Sequence, residues 1–185
     1  MKQREIHLHQ TTTLTPEQYV AGLTDFGSGR SKLFSNSTDE YLKVHHRGIT
    51  DADVTEGSGG IWESLHYDWS DPNRVVLTTT DSNVWGGASG HTYTFRRQPN
   101  GTTDIDVAVV REGKNLKGWL LGFVLRTIGK NVLKNAFENS VKAVEARNGA
   151  ARGQALASTS TFRSEPCRET LDQEKDSREL AHVQK

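Results

Sequence analysis

The chain has 185 residues, enough for one domain with a sizeable core and too few for two ordinary ones. Its 23 Lys and Arg balance 23 Asp and Glu, so no overall field draws it toward nucleic acid, and its one cysteine, Cys167, excludes an intrachain disulfide framework. Only 34% of the residues are hydrophobic, which implies that part of the chain stays outside any core. The N-terminal MKQREIHLHQ lacks the apolar stretch of a secretory signal, so a cytoplasmic location is expected. The longest apolar run, WLLGFVL, is far below the roughly 20 residues of a bilayer-spanning helix.

In chain order, REIHLHQTTTL alternates. Ile6, Leu8, Gln10, Thr12 and Leu14 share one parity, and His7, His9, Thr11 and Thr13 the other, as in a half-buried strand. A short helix follows in TPEQYVAGLTDF, with Thr15 as N-cap, Pro16 at the first helical position and Tyr19, Val20 and Leu23 as its apolar side. One more helical turn is expected around residues 32–34.

From Tyr41 the pattern is a meander of short strands: YLKVHHRGI, DVTEG, GIWESLHYDW, RVVLTTTD, SGHTYTFRRQ and TTDIDVAVVRE. Turn signals GSGG, SDPN, WGGASG and QPNG lie among them. With no helices between them the strands predict an antiparallel sheet. In the last hairpin a two-residue Asn100-Gly101 loop would split the apolar residues between two faces. A three-residue Pro99-Asn100-Gly101 loop, a type I turn followed by a left-handed Gly101, sets Phe95 opposite Ile105 and Tyr93 opposite Val107.

The segment GKNLKGWLLGFVLRTIGKNVLKNAFENSVKAVEARNG reads as a long helix in two parts. Trp119, Leu120, Leu121, Phe123, Val124, Leu125 and Ile128 make the first part apolar nearly all round. The second narrows to a stripe of Leu133, Ala136, Phe137, Val141 and Val144. The two stripes do not align on one straight helix, so a bend or break is expected at Gly129, with Asn148 and Gly149 as the C-terminal cap. Residues 150–185 carry little apolar content and read as a disordered polar tail with at most a frayed turn at 171–180, leaving 1–149 as the folded domain.

A curved antiparallel sheet with an apolar helix across its concave side leaves space between them, because a helix cannot fill the middle of a curved sheet. The first strand running into LTPEQYVAGLTDF, the YDWSDPNRVVLTTTDS and RRQPNGTTDIDVAVV hairpins, and the Gly-interrupted GWLLGFVLRTIGKNVLKNAFENSVKAVEAR helix together resemble the START-like, Bet v1-like superfamily. Within it they are most similar to the bacterial polyketide cyclase/dehydrase-type (SRPBCC) branch. The resemblance spans about residues 4–149. It implies an α+β helix-grip fold of about six or seven strands around a long C-terminal helix. It also implies a mostly apolar pocket for a lipid, polyketide or aromatic molecule, and it brings no invariant catalytic residue with it.

The expected cavity walls are Leu65, Tyr67, Trp69, Leu77, Tyr93, Phe95, Ile105, Val107 and Val109 from the sheet, with Leu120, Phe123, Val124 and Phe137 from the helix. Parity alone leaves Glu63, Tyr67, Asp81 and Arg111 as acid–base candidates, each more readily read as a strand-end or surface residue. Asp104 and Asp106 alternate against Ile105 and Val107 and read as a solvated face. His7 and His9 read as solvent-facing. A zinc site could be assembled from His7 and His9 or from His45 and His46 only with help from His66 or His91 across the sheet, with no local ligand spacing to support it, so neither metal nor cofactor is called for. GSGR and GSGG match no phosphate-binding fingerprint and read as loops. Lys114, Lys117, Arg126, Lys130 and Lys134 read as a solvated helix face, with at most transient contact with anionic lipid.

The leading expectation is therefore binding or carriage of a hydrophobic small molecule. The alternatives are a polyketide cyclase or dehydratase using the same cavity, which requires at least two ionisable groups in it, and a protein-interaction module with a collapsed pocket.

Overall fold

The computed structural model describes residues 4–127 and 129–162. Seven strands form one curved antiparallel sheet: β1 (Arg4–Thr12), β2 (Lys43–Arg47), β3 (Asp51–Ser58), β4 (Ile61–Asp71), β5 (Arg74–Ser82), β6 (Gly90–Arg97) and β7 (Thr103–Arg111). Their order is β1-β7-β6-β5-β4-β3-β2, a meander whose last strand turns back to pair with the first. Two short helices, α1 (Pro16–Leu23) and α2 (Arg30–Leu33), follow β1. Then α3 (Leu116–Thr127) and α4 (Gly129–Phe162) follow β7.

The local signals act as their chemistry requires. Thr15 accepts from the Gln18 amide while the Gln18 side chain accepts from the Thr15 amide, a reciprocal capping box with Pro16 in the first turn. In the last hairpin Phe95 lies opposite Ile105 and Tyr93 opposite Val107, and Gly101 adopts φ +85°, as the bulged three-residue loop demands.

One face of the sheet is apolar through most of its width. Ile6 opposes Val109 and Leu8 opposes Val107 across β1 and β7, and Tyr67 opposes Leu77 across β4 and β5. Against this face lie Tyr19 and Leu23 of α1 and Phe137, Val141 and Val144 of α4, all buried. Three contacts anchor α4. Glu145 accepts from the Thr12 hydroxyl at 2.6 Å and the Thr13 amide at 3.1 Å. Arg147 pairs with Asp25 at 2.7 Å. Gly22 of α1 lies so close to Val144 that a Cβ there would come within 2.8 Å of its Cγ1.

The C-terminal helical segment is described as α3 up to Thr127 and as α4 from Gly129, and the break expected at Gly129 abuts residue 128, which lies outside the described residues. Two expectations need correction. Asn148 and Gly149 do not cap α4, which continues to Phe162; the Asn148 side chain instead donates back to the Val144 carbonyl, one turn earlier in the same helix. Residues 150–162 are therefore helical rather than structureless, because helical hydrogen bonding along Ala-rich AARGQALA needs no apolar stripe. The remainder of the expected tail, including the turn at 171–180, lies outside the described residues. The compact unit that carries the sheet ends at Gly149.

Candidate functional site

Between the concave face of the sheet and α4 lies a cavity of about 310 Å³. Its apolar wall comes from Leu8, Leu65, Val107 and Val109 of the sheet and Leu133 and Phe137 of α4. Its polar wall comes from strand-end residues that continue the apolar parity of their strands: Glu56 after Val54, Glu63 before Leu65, His91 before Tyr93, and Arg111 after Val109. Glu56 and Glu63 face each other directly across β3 and β4. Two adjacent buried carboxylates repel unless each is neutralised, and each has its own arginine.

Glu63 accepts both Arg111 terminal nitrogens, at 3.0 and 3.2 Å, and the Thr79 hydroxyl at 3.0 Å. The Arg111 guanidinium lies 5.3 Å from the Trp85 ring centre. Arg111 Nη2 also lies 2.7 Å from His91 Nε2. A guanidinium only donates, so Nε2 accepts and His91 is the neutral tautomer with its proton on Nδ1. Burial, reinforced by the Arg111 charge, holds the His91 pKa well below the usual histidine value, in agreement with that geometry. Burial also pulls Arg111 below the usual arginine value, opposed by Glu63.

Glu56 is neutralised by Arg30 of α2. The guanidinium donates to both carboxylate oxygens at 2.9 and 3.2 Å, to the Tyr67 hydroxyl at 3.0 Å, and to the Leu23 and Asp25 carbonyls at 2.9 Å each. It lies between the Phe26 and Phe34 rings, 4.8 and 4.9 Å from their centres, and Tyr67 in turn donates to Glu56.

Two tyrosines complete the wall. Tyr19, 1% exposed, packs between Tyr93 and Phe95, and among the described residues its buried hydroxyl has no hydrogen-bond partner. Burial raises its pKa well above the usual phenol value, and raises that of Tyr93 to about 12, so both stay protonated donors.

No protein-family model and no curated protein matches the sequence. Solved structures do match in fold. The Zhui aromatase/cyclase from Streptomyces sp. R1128 superposes with a TM-score of 0.62 at 12% identity, covering 81% of this chain and 98% of that one. TTHA0849 from Thermus thermophilus gives 0.61 at 15% identity, with 78% and 99% covered. A START superfamily protein from Mycobacterium smegmatis gives 0.55 at 11%, with 77% and 95% covered. The chain has the START-like, Bet v1-like helix-grip fold.

Within this helix-grip fold the expected wall residues divide into three groups. Leu65, Tyr93, Val107, Val109 and Phe137 line the cavity. Tyr67, Leu77, Phe95 and Ile105 are buried in the core behind it, and Trp69 is partly buried against that core. Leu120, Phe123 and Val124 instead face outward at 56, 46 and 45% exposure, because Gly118 and Gly122 occupy the buried side of α3. The closing helix is α4 rather than the more apolar α3.

Among the acid–base candidates the fold brings Glu63 and Arg111 together in the cavity and sets Tyr67 beside Glu56. Asp81 is exposed and pairs with Lys114 at 2.9 Å. Asp104 and Asp106 form the solvated face, with Asp106 bonded to His9 and Arg96. Among the described residues no group of three or more His, Cys, Asp or Glu is placed to hold a metal ion, and no helix is long and apolar enough to cross a membrane. Sequence reasoning missed Arg30, Glu56 and Tyr19. Glu56 was detectable as a charged residue on the apolar parity of Ala52 and Val54, whereas Arg30, following the glycine-rich residues 27–29, carried no local signal.

Proposed function

We propose that the protein binds a compact, uncharged, mainly apolar small molecule in this cavity, with a hydrogen-bond acceptor on the ligand directed at the tyrosine and histidine donors. The observation that carries the reading is the buried Tyr19 hydroxyl in the cavity wall, unpartnered among the described residues. An unmet buried hydroxyl costs roughly 1–3 kcal/mol, which an acceptor on a ligand removes. The charge pattern supports a neutral ligand: both carboxylates of the polar wall are already matched by arginines, so a charged guest would find no free counter-ion there. The size supports a compact one, since about 310 Å³ lies at the lower end of the roughly 300–1,000 Å³ of small-molecule sites.

A second reading, cyclase- or dehydratase-like turnover, draws support from the ionisable cluster of Glu63, Arg111 and His91, since the cavity is not wholly apolar. Yet His91 Nε2 is already engaged as an acceptor, so His91 is arranged to donate from Nδ1 rather than to abstract a proton. That favours binding over general-base chemistry. The test is native mass spectrometry of freshly purified protein beside an organic extract of the same sample. A stoichiometric, neutral, hydrophobic molecule is expected. A protein that is empty and also fails to take up an environment-sensitive apolar dye would refute the reading.

A further inference from the structure

Helix α3 hides its glycines and displays its large apolar side chains. Gly118 and Gly122 are buried, and a Cβ on Gly118 would lie 2.0 Å from the Val84 carbonyl oxygen, so α3 meets the body of the protein backbone to backbone. On the opposite side Leu116, Trp119 and Leu120 are 81, 51 and 56% exposed. Phe123 and Val124, also exposed, extend them at spacings of i, i+3, i+4, i+7 and i+8, which is one continuous helix face. Val132, at the start of α4, is 59% exposed. A contiguous outward apolar face of this kind disfavours free solvation and marks a docking surface.

Charge identifies the occupant. Residues 113–137 contain Lys114, Lys117, Arg126, Lys130 and Lys134 and no Asp or Glu, although the whole chain is neutral. Ion pairs with Asp81 and Glu138 engage Lys114 and Lys134, while Lys117 stands exposed beside the apolar stripe. We propose that α3 docks in the plane of an anionic lipid bilayer, with Leu116, Trp119 and Leu120 entering the headgroup region and Lys117 meeting lipid phosphates. An exposed helix face of Leu, Trp and Phe with Lys117 beside it has the composition for interfacial binding, and among the described residues no helix is long and apolar enough to cross a membrane. A second copy is the poorer fit, because a two-fold contact would set this cationic helix against itself. Trp85, next to the Val84 on which α3 rests, is a cavity wall residue, so docking would bring the cavity close to the bilayer.

The experiment is flotation of the full chain with vesicles of phosphatidylcholine alone or with about a third phosphatidylglycerol. Binding is expected to the anionic vesicles only and to weaken as salt is raised. The double variant Leu116→Ser/Leu120→Ser should bind about tenfold or more weakly while keeping the wild-type melting temperature, since both side chains point outward. Lys117→Gln should weaken binding about fivefold. Failure of the wild-type chain to float with anionic vesicles, or binding indifferent to the serine pair, would overturn the proposal. A dimer in sedimentation velocity that the serine pair dissociates would overturn it too, assigning the face to a second copy. None of these readouts requires the cavity to hold a ligand.

Discussion

Replacing Arg30 by methionine tests whether the polar wall rests on a desolvated ion pair. All five guanidinium N–H groups are used: two on Glu56, one on Tyr67 and two on the Leu23 and Asp25 carbonyls. The Arg30 and Glu56 side chains are 2% and 5% exposed, so solvent screens the pair little. Methionine keeps the apolar stem between Phe26 and Phe34 but leaves a buried carboxylate without its counter-ion and two carbonyls without donors. Breaking one side of such a pair costs about 3–5 kcal/mol. For a domain of this size that lowers the melting temperature by on the order of 10 °C. Urea denaturation followed by far-ultraviolet circular dichroism measures the loss. The double variant Arg30→Met/Glu56→Leu removes the stranded charge and should recover most of it, giving a large coupling in the double-mutant cycle. A single-variant loss below about 1 kcal/mol, or no recovery in the double variant, would refute the reasoning.

Other changes follow from the same geometry. Because the folded pKa of His91 lies well below its unfolded value of about 6.5, its stabilising contribution is present above that pH and is lost as pH falls toward the folded value, by up to about 1.4 kcal/mol per pH unit. The urea midpoint should therefore fall less between pH 7 and pH 5 in His91→Asn than in the wild-type chain. Gly118→Ala raises helix propensity by about 1 kcal/mol but drives a Cβ into the Val84 carbonyl, so a net loss of about 1–3 kcal/mol is expected; a stabilised variant would mean that α3 does not pack there. Thr15→Ala removes half of the capping box of α1 and should cost about 1 kcal/mol in the same urea assay.

Much of the fold was legible because its signals are local. Period-two alternation marks the strands, turn residues separate them, and Thr15 with Pro16 starts α1. The parity argument around Asn100 and Gly101 set the register of a hairpin because a one-residue slip reverses every side chain. Parity also placed Leu65, Tyr93, Val107 and Val109 on one face and nominated Glu63 and Arg111, since a charged residue at the end of an apolar alternation must point the same way as its neighbours.

The sequence by itself could not say which face of α3 is covered. Its first turns are apolar nearly all round, so hydropathy has no preferred direction there, and close packing of Gly118 on Val84 decides that leucine and tryptophan turn outward. Nor could it tell that Asn148 and Gly149 lie within a helix, since a cap signal acts only where the chain departs from helical geometry. Charge neutralisation in the cavity is tertiary for the same kind of reason. Arg30 reaches Glu56 from 26 positions away and Arg111 reaches Glu63 from 48, so only the folded, curved sheet, which brings these strand ends and α2 to one place, makes two largely buried carboxylates tolerable. The strands were determined by local periodicity; the polar end of the cavity was decided by desolvation, which acts only after the chain has folded around it.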